Sequence, residues 1–597
     1  MNKRLSTLPK STLDNLMLLF NQGRHLEIIN TTTDLKIKFP RCFKLFNILG
    51  AAHKGMGNLA NAELSFRKAC ELEPLNPDTH NNLGFVLAER GDYEQAICSY
   101  KKVLKILPND FESHVSLGNL LLKKNRYDEA IRSYDNALKI NPNSSLAYNN
   151  MGNAFSAKGD LDQALLSYNS AIRCSNEFSG AYNNIGNILK EKFKYDEAIG
   201  FYNRAIELDA KFADAYYNLA DTLAVKGLLG QAVVNYKKAI EIDPTNINYH
   251  LNIGNTYRAQ GKLQDALRCY EEVICIEPNF FDAFYNISLL RLKRKEWVAG
   301  WQGYEYRFDL KKDAVDKLIY QKPRWDKKFV EKLFVGGEQG VGDEIMFASC
   351  IDELRHYTDR LIVSCDERLL PLYNRSFDQS ISFINKSSRI SDDLFDSQIS
   401  IGSAYGYLRQ TNESFEARRM PYLKADSKRR DDLREKIESK LDGASIIGIS
   451  WRSSASKDAK KRSLNLSDLA NAIPKNFGLV NLQYGEVASD IESLAKVSGR
   501  KVLTNNDIDN FNHLDDFCAL IQACDLVVSI DNSTVHFAGA LGTKCHVLLP
   551  FSHQSDWRWG LNGTPKSYHY ANMYLHWQTK PEDWQSCLSD LNKKLVV

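Results

Sequence analysis

The chain has 597 residues, more than one ordinary hydrophobic core contains, so the sequence predicts two or three folded units. Hydrophobic residues make up 43% and charged residues 25%, which is typical of a soluble globular protein. With 77 Lys and Arg against 74 Asp and Glu, the net charge of +3 gives no global basis for binding nucleic acid or an anionic membrane.

The twelve cysteines form no CxxC pair and no cluster with histidine, so the sequence indicates neither a zinc site nor a disulfide framework. They are typical of reduced thiols in a cytoplasm. Residues 1–20 are interrupted by polar side chains where a signal peptide needs an apolar segment. No apolar run is long enough to span a bilayer, and a cytoplasmic location is therefore expected.

The first half repeats with a period of 34 residues. Leu-Gly pairs or their equivalents recur, a small residue follows twelve positions later, an aromatic residue four further on, and proline closes many units. This is the tetratricopeptide signature, in which two antiparallel helices form each unit and the units stack into a solenoid. We predict seven good repeats between about 43 and 280, a weaker one before them (13–40) and a degenerate one after them (282–307).

Asparagine recurs two residues before the Gly-type position of most repeats, on the helix expected to line the concave face. The predicted peptide-groove residues are Asn82, Asn150, Asn184, Asn218, Asn252 and Asn286. A second set of asparagines stands one residue after the Gly-type position of its repeat: Asn119, Asn153, Asn187 and Asn255. An amide both donates and accepts, so this column is suited to binding a peptide backbone. The alternative is that these amides only connect neighbouring helices.

The repeats resemble those of O-linked N-acetylglucosamine transferase, which carry the same wording as Asn149-Asn-Met-Gly-Asn153 and Asn183-Asn-Ile-Gly-Asn187. The resemblance implies that the asparagine ladder grips extended protein substrates. It covers about half of the chain and concerns binding, not catalysis.

The sequence predicts five segments. They are an N-terminal cap or degenerate repeat (1–42), the solenoid (43–307), a charged connector (308–332), and two Rossmann-like domains (333–426 and 427–597). In the last two segments strands alternate with helices, which predicts parallel sheets with a cleft between their strand ends. The predicted strands are 333–336, 361–364, 381–384, 397–400, 446–450, 479–482, 501–503, 526–530 and 546–549.

The strand 526–530 runs into the polar residues Asp531-Asn-Ser-Thr534 and then into a helix that stops at Gly542. Ser533 or Thr534 is expected to cap this helix, and His536 falls in its first turn. A capped helix after a strand is suited to holding an anion. The alternative is a buried strand and a capped helix without a ligand.

Gly337, Gly340 and Gly342 occupy a predicted strand-to-helix turn that ends in Asp343 and Glu344, before a helix predicted over 345–356. Glycines let the backbone approach a ligand closely. No Gly-Lys-Ser/Thr follows, so this is not a Walker loop. The alternative is that Asp343 only caps the helix.

Two further strand ends are polar. One is followed by Ser453 and a basic loop with Lys461 and Arg462, and the next by Gln483. Basic and hydroxyl side chains are suited to a diphosphate, and an amide to ribose hydroxyls. The alternative for the basic loop is a solvated surface.

Together these segments resemble the heptosyltransferase-type (family 9-like) GT-B glycosyltransferases, in the branch with fused tetratricopeptide repeats. The matching motifs are Glu338-Gln-Gly-Val-Gly-Asp-Glu-Ile-Met-Phe-Ala348, Gly448-Ile-Ser-Trp-Arg452, Leu514-Asp-Asp-Phe517, 529–542, Leu549-Pro-Phe551 and Asp556-Trp-Arg-Trp559. The family has Asp-Thr at the donor turn, whereas this chain has Asp531-Asn532-Ser533.

The resemblance implies that Asp343 is the general base, that Asp531 and His536 hold the nucleotide sugar, and that Lys461 or Arg462 neutralises its diphosphate. The full predicted donor-binding set is Gly340, Gly342, Ser453, Lys461, Arg462, Gln483, Asp531, Ser533, Thr534 and His536. No DxD pair stands directly at a strand end, so we expect no metal and no cofactor beyond the nucleotide-sugar co-substrate.

The sequence thus predicts a metal-independent glycosyltransferase that moves a sugar to an acceptor recruited by the repeats, a protein side-chain hydroxyl. One alternative is a non-catalytic scaffold whose α/β half binds nucleotide or nothing. A second keeps the enzyme but makes the acceptor a glycan.

Overall fold

A computed structural model describes residues 7–310, 318, 320–417, 419–441, 443–453, 462–505, 507–551, 557–561, 563–580 and 582–596. The chain divides into two compact units, Met1–Pro244 (the N-terminal unit) and Thr245–Val597 (the C-terminal unit). None of the helices in the described ranges has the length and apolar character needed to cross a bilayer.

The N-terminal unit consists of helices in antiparallel pairs. They are α1 (Lys10–Asn21), α2 (His25–Lys38), α3 (Phe43–Gly55), α4 (Leu59–Leu72), α5 (Pro77–Glu89), α6 (Tyr93–Ile106), α7 (Phe111–Lys123), α8 (Tyr127–Ile140), α9 (Ser145–Lys158), α10 (Leu161–Cys174), α11 (Ser179–Glu191), α12 (Tyr195–Leu208), α13 (Ala213–Val225) and α14 (Leu229–Ile242). The C-terminal unit opens with two more pairs, α15 (Ile247–Ala259) with α16 (Leu263–Ile276) and α17 (Phe281–Lys293) with α18 (Trp297–Tyr304).

The spacing of glycine and aromatic residues explains how each pair packs. A Cβ added at Gly118 would lie 2.5 Å from the ring of Tyr134, and one added at Gly186 would lie 2.5 Å from the ring of Tyr202. Glycine, which has no Cβ, lets the second helix place its buried aromatic ring directly on the first in these pairs. The predicted tetratricopeptide solenoid is thereby confirmed for roughly the first 290 residues.

The turn within each helix pair contains a residue in the left-handed region. These residues are Gly23, Gly57, Gly91, Asn125, Gly159, Phe193, Gly227, Gly261 and Lys295. Glycine adopts this conformation without strain and asparagine tolerates it, whereas phenylalanine and lysine do not. Phe193, with a φ of 60°, is therefore strained by the geometry that its neighbours in the column accept freely.

The rest of the C-terminal unit contains two sheets whose strands all pair in parallel. The first sheet has the order β3-β2-β1-β4, formed by β1 (Val330–Gly336), β2 (Thr358–Cys365), β3 (Ser382–Asn385) and β4 (Ser397–Ser400). The second has the order β10-β9-β8-β5-β6-β7, formed by β5 (Ser445–Ser450), β6 (Phe477–Asn481), β7 (Val502–Leu503), β8 (Leu526–Ile530), β9 (Cys545–Leu549) and β10 (Met573–Trp577).

Helices cover these sheets and connect them. They are α19 (Val341–Ala348), α20 (Ile351–Leu354), α21 (Leu370–Ser376), α22 (Ile401–Leu408), α23 (Asn412–Glu416), α24 (Ser427–Leu441), α25 (Leu466–Ala472), α26 (Ala488–Ser498), α27 (Leu514–Gln522), α28 (Ser533–Leu541) and α29 (Trp584–Val596). The predicted parallel sheets are confirmed, and register is set by pairs such as Val335 with Val363 and Val528 with His546.

Two predictions about elements were wrong. The helix expected over 345–356 begins earlier, at Val341, because Gly340 is extended at its N-cap, and it ends at Ala348 before the short α20. β10 was not predicted from the sequence, because Tyr574, His576 and Trp577 interrupt the apolar run that is typical of a buried strand.

We expect Phe193→Gly to raise the free energy of unfolding of the N-terminal unit by about 1 kcal/mol, because a left-handed L-residue costs about 1–2 kcal/mol that glycine does not. Gly159→Ala, at the same position of another pair, is the matched control. An added Cβ at Gly159 meets no atom within 4 Å, so only its φ of 90° opposes the change, and we expect a loss of about 1 kcal/mol. Urea denaturation measures both. If both variants changed the free energy of unfolding in the same direction, the assignment of strain to Phe193 would be contradicted.

Candidate functional site

Three polar strand ends meet at one edge of the second sheet, because β8, β5 and β6 are neighbours in it. Asp531 follows β8, Trp451 to Ser453 follow β5, and Gln483 lies just beyond β6. The predicted donor-binding residues at these positions are thus neighbours in space. Lys461, the other predicted cation of the basic loop, lies outside the described residues.

Asn532 caps α28, and this corrects the expectation that Ser533 or Thr534 does so. The Oδ1 atom of Asn532 accepts the backbone N–H of Thr534 at 3.0 Å. Its Nδ2 donates to Ser450 Oγ at 2.7 Å and to the Arg452 carbonyl at 3.3 Å. An amide can cap and donate at once, so this residue both starts the helix and joins the ends of β8 and β5.

Asp531 is buried and fully engaged by side chains from outside its own strand. The Nη2 atom of Arg462 donates to its Oδ2 at 2.8 Å and to its carbonyl at 2.6 Å. The Nε1 of Trp559 donates to its Oδ1 at 2.8 Å. Asp531 therefore places a guanidinium at the N-terminal end of α28, where the helix dipole already favours an anion.

His536 is only 6% exposed and is held as a neutral ring. Its Nδ1 lies 3.0 Å from the Tyr570 hydroxyl, and its ring stacks on Trp559 with centroids 5.4 Å apart. Burial, together with the charges of Arg558 and Arg462, lowers the pKa of His536 to about 3. At neutral pH it acts as a hydrogen-bonding group without charge.

The remaining hydroxyls of the turn are Ser533 and Thr534. Ser533 is half-buried, whereas Thr534 is fully buried. Within the part of the chain that the structure describes, the Oγ1 of Thr534 has no hydrogen-bond partner. A buried hydroxyl without a partner is costly to the folded state.

The glycine-rich loop of the first sheet meets this turn directly. A Cβ at Gly342 would lie 3.2 Å from His536 Cδ2 and 3.6 Å from Ser533 Cα, so a larger residue would separate α19 from α28. Asp343 stands in the first turn of α19, and its Oδ1 accepts a hydrogen bond from Arg558 Nη2. The predicted base and the predicted donor turn are thus brought together.

Two predicted residues take other positions. The Oε1 of Gln483 accepts hydrogen bonds from Ser450 Oγ and from the backbone N–H groups of Trp451 and Arg452, at 2.7–3.0 Å. Gln483 is buried, and these bonds hold the backbone that follows β5 in place. Ser453 lies on a separate polar cavity of about 530 Å³ that it shares with Arg452 and Asp490.

A buried ion pair supports the glycine-rich loop from the helical side. Arg307, in the turn after α18, donates to both carboxylate oxygens of Glu338 at 3.1 and 3.0 Å, and neither side chain is more than 5% exposed. The backbone N–H of Gly402 also donates to Glu338 at 2.8 Å. The next residue, Gln339, has a φ of 63° and donates to the Tyr304 hydroxyl.

Sequence reasoning assigned no function to Arg307, Tyr570, Arg558 or Trp559. The last two belong to the Asp-Trp-Arg-Trp motif, so a signal was present for them, but their charge and aromatic partners depend on the fold. Among the described residues no cluster of His, Cys, Asp or Glu side chains has the arrangement of a metal site.

The asparagine column connects neighbouring repeats. Amide nitrogens donate to amide oxygens of the preceding first helix, from Asn82 to Asn47, Asn150 to Asn119, Asn184 to Asn149 and Asn153, and Asn218 to Asn183. Tyrosine hydroxyls of the second helices donate to Asn119, Asn153, Asn187 and Asn255. In the C-terminal unit, Asn252 accepts from Asn255 and Asn286 from Arg258, each at 3.5 Å.

This geometry supports the alternative that the amides connect helices, without using all of their capacity. An amide has two N–H donors and a carbonyl, so an asparagine that donates once to its neighbour retains further groups. The six predicted groove residues are all partly exposed. Their use in peptide binding stays a prediction.

Models of the tetratricopeptide repeat match residues 43–74, 65–97, 86–125, 118–159, 146–177, 186–227, 221–257 and 247–280. Protein FlbA of Caulobacter vibrioides is 29% identical over 268 residues, which are 42% of this chain and 45% of FlbA. The chain thus spans less than half the length of this curated relative.

Solved structures of repeat proteins are also similar. MamA protein is 28% identical, with 29% of this chain and 94% of MamA covered and a TM-score of 0.25. YrrB, described as a TPR protein with an unusual peptide-binding site, is 24% identical, with 31% of this chain and 96% of YrrB covered and a TM-score of 0.26.

We expect Glu338→Gln to lower the free energy of unfolding of the C-terminal unit by about 3 kcal/mol, because it leaves the buried Arg307 guanidinium without its counter-ion. Glu305→Gln is the control, since Glu305 also accepts from Arg307 but is partly exposed. Its loss should be below about 1 kcal/mol. Chemical denaturation followed by tryptophan fluorescence measures both. Similar losses for the two variants would contradict a dominant buried pair.

We expect His536 to make the C-terminal unit acid-sensitive. Its folded pKa of about 3 lies below the unfolded value of 6.5, so its stabilisation is complete above pH 6.5 and is lost as the pH falls towards 3. Between pH 7 and pH 5 the loss is about 2 kcal/mol. His536→Phe should remove that part of the pH dependence in urea denaturation. Tyr570→Phe removes the hydrogen bond without removing the titration, and should shift stability equally at both pH values. An unchanged pH dependence in His536→Phe would refute the assignment.

Proposed function

We propose that this protein is a metal-independent glycosyltransferase of the GT-B type. The two sheets of the C-terminal unit form its two lobes, and a nucleotide sugar is the donor. The acceptor is a protein side-chain hydroxyl, delivered by a partner that binds the tetratricopeptide repeats. The expected cytoplasmic location belongs to this proposal.

One observation carries the proposal. The glycine-rich loop that follows β1 packs against the turn that follows β8, with Gly342 on His536 and Ser533. Asp343, the residue after Gly342, therefore lies beside the first turn of α28 and pairs with Arg558 of the other lobe. Carboxyl ends of parallel strands are where ligands bind in open α/β sheets, and here two such ends converge.

The chemistry assigns each group one task. Asp343 accepts the proton of the acceptor hydroxyl, and the hydroxyl oxygen forms the new bond to the anomeric carbon. The bond from that carbon to the phosphate oxygen breaks, and the nucleoside diphosphate leaves with its electron pair. Arg462, the Thr534 hydroxyl and the N-terminus of α28 stabilise the negative charge on the leaving group.

The repeats support a protein acceptor over a glycan. Tetratricopeptide solenoids present long surfaces to peptides and proteins, and the partly exposed asparagines retain donors and acceptors for a peptide backbone.

A second candidate is a repeat scaffold without catalysis, and a specific observation favours it. The Oδ1 of Asp343, both oxygens of Asp531 and the Oε1 of Gln483 are engaged by protein partners. A pseudo-active site held closed by internal bonds would have this arrangement. Binding of a nucleoside diphosphate distinguishes the two.

We expect one of the uridine, adenosine, guanosine, cytidine or thymidine diphosphates to stabilise the protein in a thermal shift assay, by about 2.7 kcal/mol at 100 times its Kd. Thr534→Val should weaken that binding about tenfold or more, because a hydroxyl bonded to a charged phosphate contributes about 1.5–3 kcal/mol. The same change should raise the free energy of unfolding of the free protein by about 1–3 kcal/mol, since it removes a buried hydroxyl that has no partner among the described residues.

Thr256→Val is the matched control, since Thr256 is a buried threonine of α15 whose hydroxyl donates to the Asn252 carbonyl. It should leave nucleotide binding unchanged. A positive shift then permits a transfer assay with the matching nucleotide sugars, in which Asp343→Asn should abolish turnover. No shift with any of the five nucleotides would reject the glycosyltransferase in favour of the scaffold.

A further inference from the structure

Arg558 pairs with a carboxylate of the opposite lobe, whereas Arg462 pairs with Asp531 of its own lobe. Arg558 belongs to the lobe of the second sheet, yet its guanidinium pairs with Asp343 of the first lobe. Both side chains are partly accessible, 15% for Arg558 and 22% for Asp343. Asp531 also acts on Arg558 electrostatically, so the guanidinium lies within the field of a carboxylate from each lobe.

The two residues that flank Arg558 are anchored. Trp557 packs edge-on against Trp301, with centroids 5.1 Å apart, and Trp559 is bonded to Asp531 and stacked on His536. The short helical turn Trp557–Trp559 is therefore held on both sides, and the Arg558 side chain extends from it to Asp343 of the first lobe. An arginine whose backbone is held in place can exchange one anionic partner for another by moving its side chain alone.

We propose that Arg558 is a switch that exchanges partners between Asp343 and the diphosphate of the donor. This inference rests on the proposed function. In the free protein Arg558 occupies a carboxylate oxygen of Asp343. A bound nucleoside diphosphate, with its greater negative charge, draws the guanidinium to itself and leaves that oxygen open to the proton of the acceptor hydroxyl.

The exchange sets the order of events. A carboxylate that already accepts a charged hydrogen bond attracts a further donor less strongly, so Asp343 engages the acceptor hydroxyl fully only after the donor has drawn Arg558 away. The exchange also accounts for the Arg558–Asp343 ion pair, which by itself favours a scaffold. In an enzyme, that pair belongs to the state before the donor binds.

The geometry makes a prediction that runs against ordinary expectation. A substitution of the proposed base should improve donor binding, because it releases Arg558 from its competing partner. In isothermal titration with the nucleoside diphosphate that gives the thermal shift, we expect Asp343→Asn to lower Kd about three- to tenfold. Arg558→Gln should raise Kd about tenfold or more.

A double-mutant cycle separates the switch from a general charge effect. If Asp343→Asn acts through Arg558, its gain disappears when it is combined with Arg558→Gln. A gain that persists in the double variant reflects only the removal of a negative charge near the ligand, and would overturn the inference. An absent gain in the single variant would overturn it as well.

Arg375→Gln controls for closure of the lobes. Arg375 of α21 pairs with Asp515 of α27, so it also bridges the lobes without belonging to the candidate site. Its Kd should match that of the wild type. If Arg375→Gln weakened binding as much as Arg558→Gln, lobe closure and not phosphate contact would explain the loss, and the switch would be rejected. Absence of binding in the wild type and in Asp343→Asn alike would reject the proposed function itself.

Discussion

The buried ion pair between Arg307 and Glu338 is the constraint on which the arrangement of the C-terminal unit depends. Two charges without water are stable only with several hydrogen bonds in good geometry, and here the Gly402 N–H, the Ser403 hydroxyl and the Tyr304 carbonyl complete the set. Because Glu338 opens the glycine-rich loop, the last helical turn of the repeats and the first loop of the sheet cannot move independently.

From that loop the constraint passes to the site. Gly342 packs beside His536, the ring of His536 stacks on Trp559, and Trp559 donates a hydrogen bond to Asp531. These contacts leave Asp343 and Arg558 as the partly exposed charges at the centre of a tightly packed set. Tight packing fixes the positions of these side chains, and under the proposed function it would align donors and acceptors before a ligand arrives.

Much of the fold followed from patterns that are local in the chain. The 34-residue period, the pairing of Gly118 with Tyr134 and the apolar run 526–530 depend on neighbours close in sequence. The partners of Asp343 and Asp531 did not follow, because Arg558 and Trp559 lie far along the chain and only folding brings them near. The cap of α28 was missed for a different reason. Asn532, Ser533 and Thr534 are all good capping residues, and the choice among them depends on Ser450 and Arg452 from the neighbouring strand.

The bonds between asparagines have a consequence for how such a chain can change length. Those that connect repeats run to the adjacent repeat, at a separation of 31 or 35 residues, as from Asn184 to Asn153 and Asn149. Duplication or deletion of one whole 34-residue unit would recreate the same bonds at the new junction, and every other repeat would keep its partners. The repeat array is thus free to lengthen or shorten in evolution, while the Arg307–Glu338 ion pair holds the loop after β1 in place.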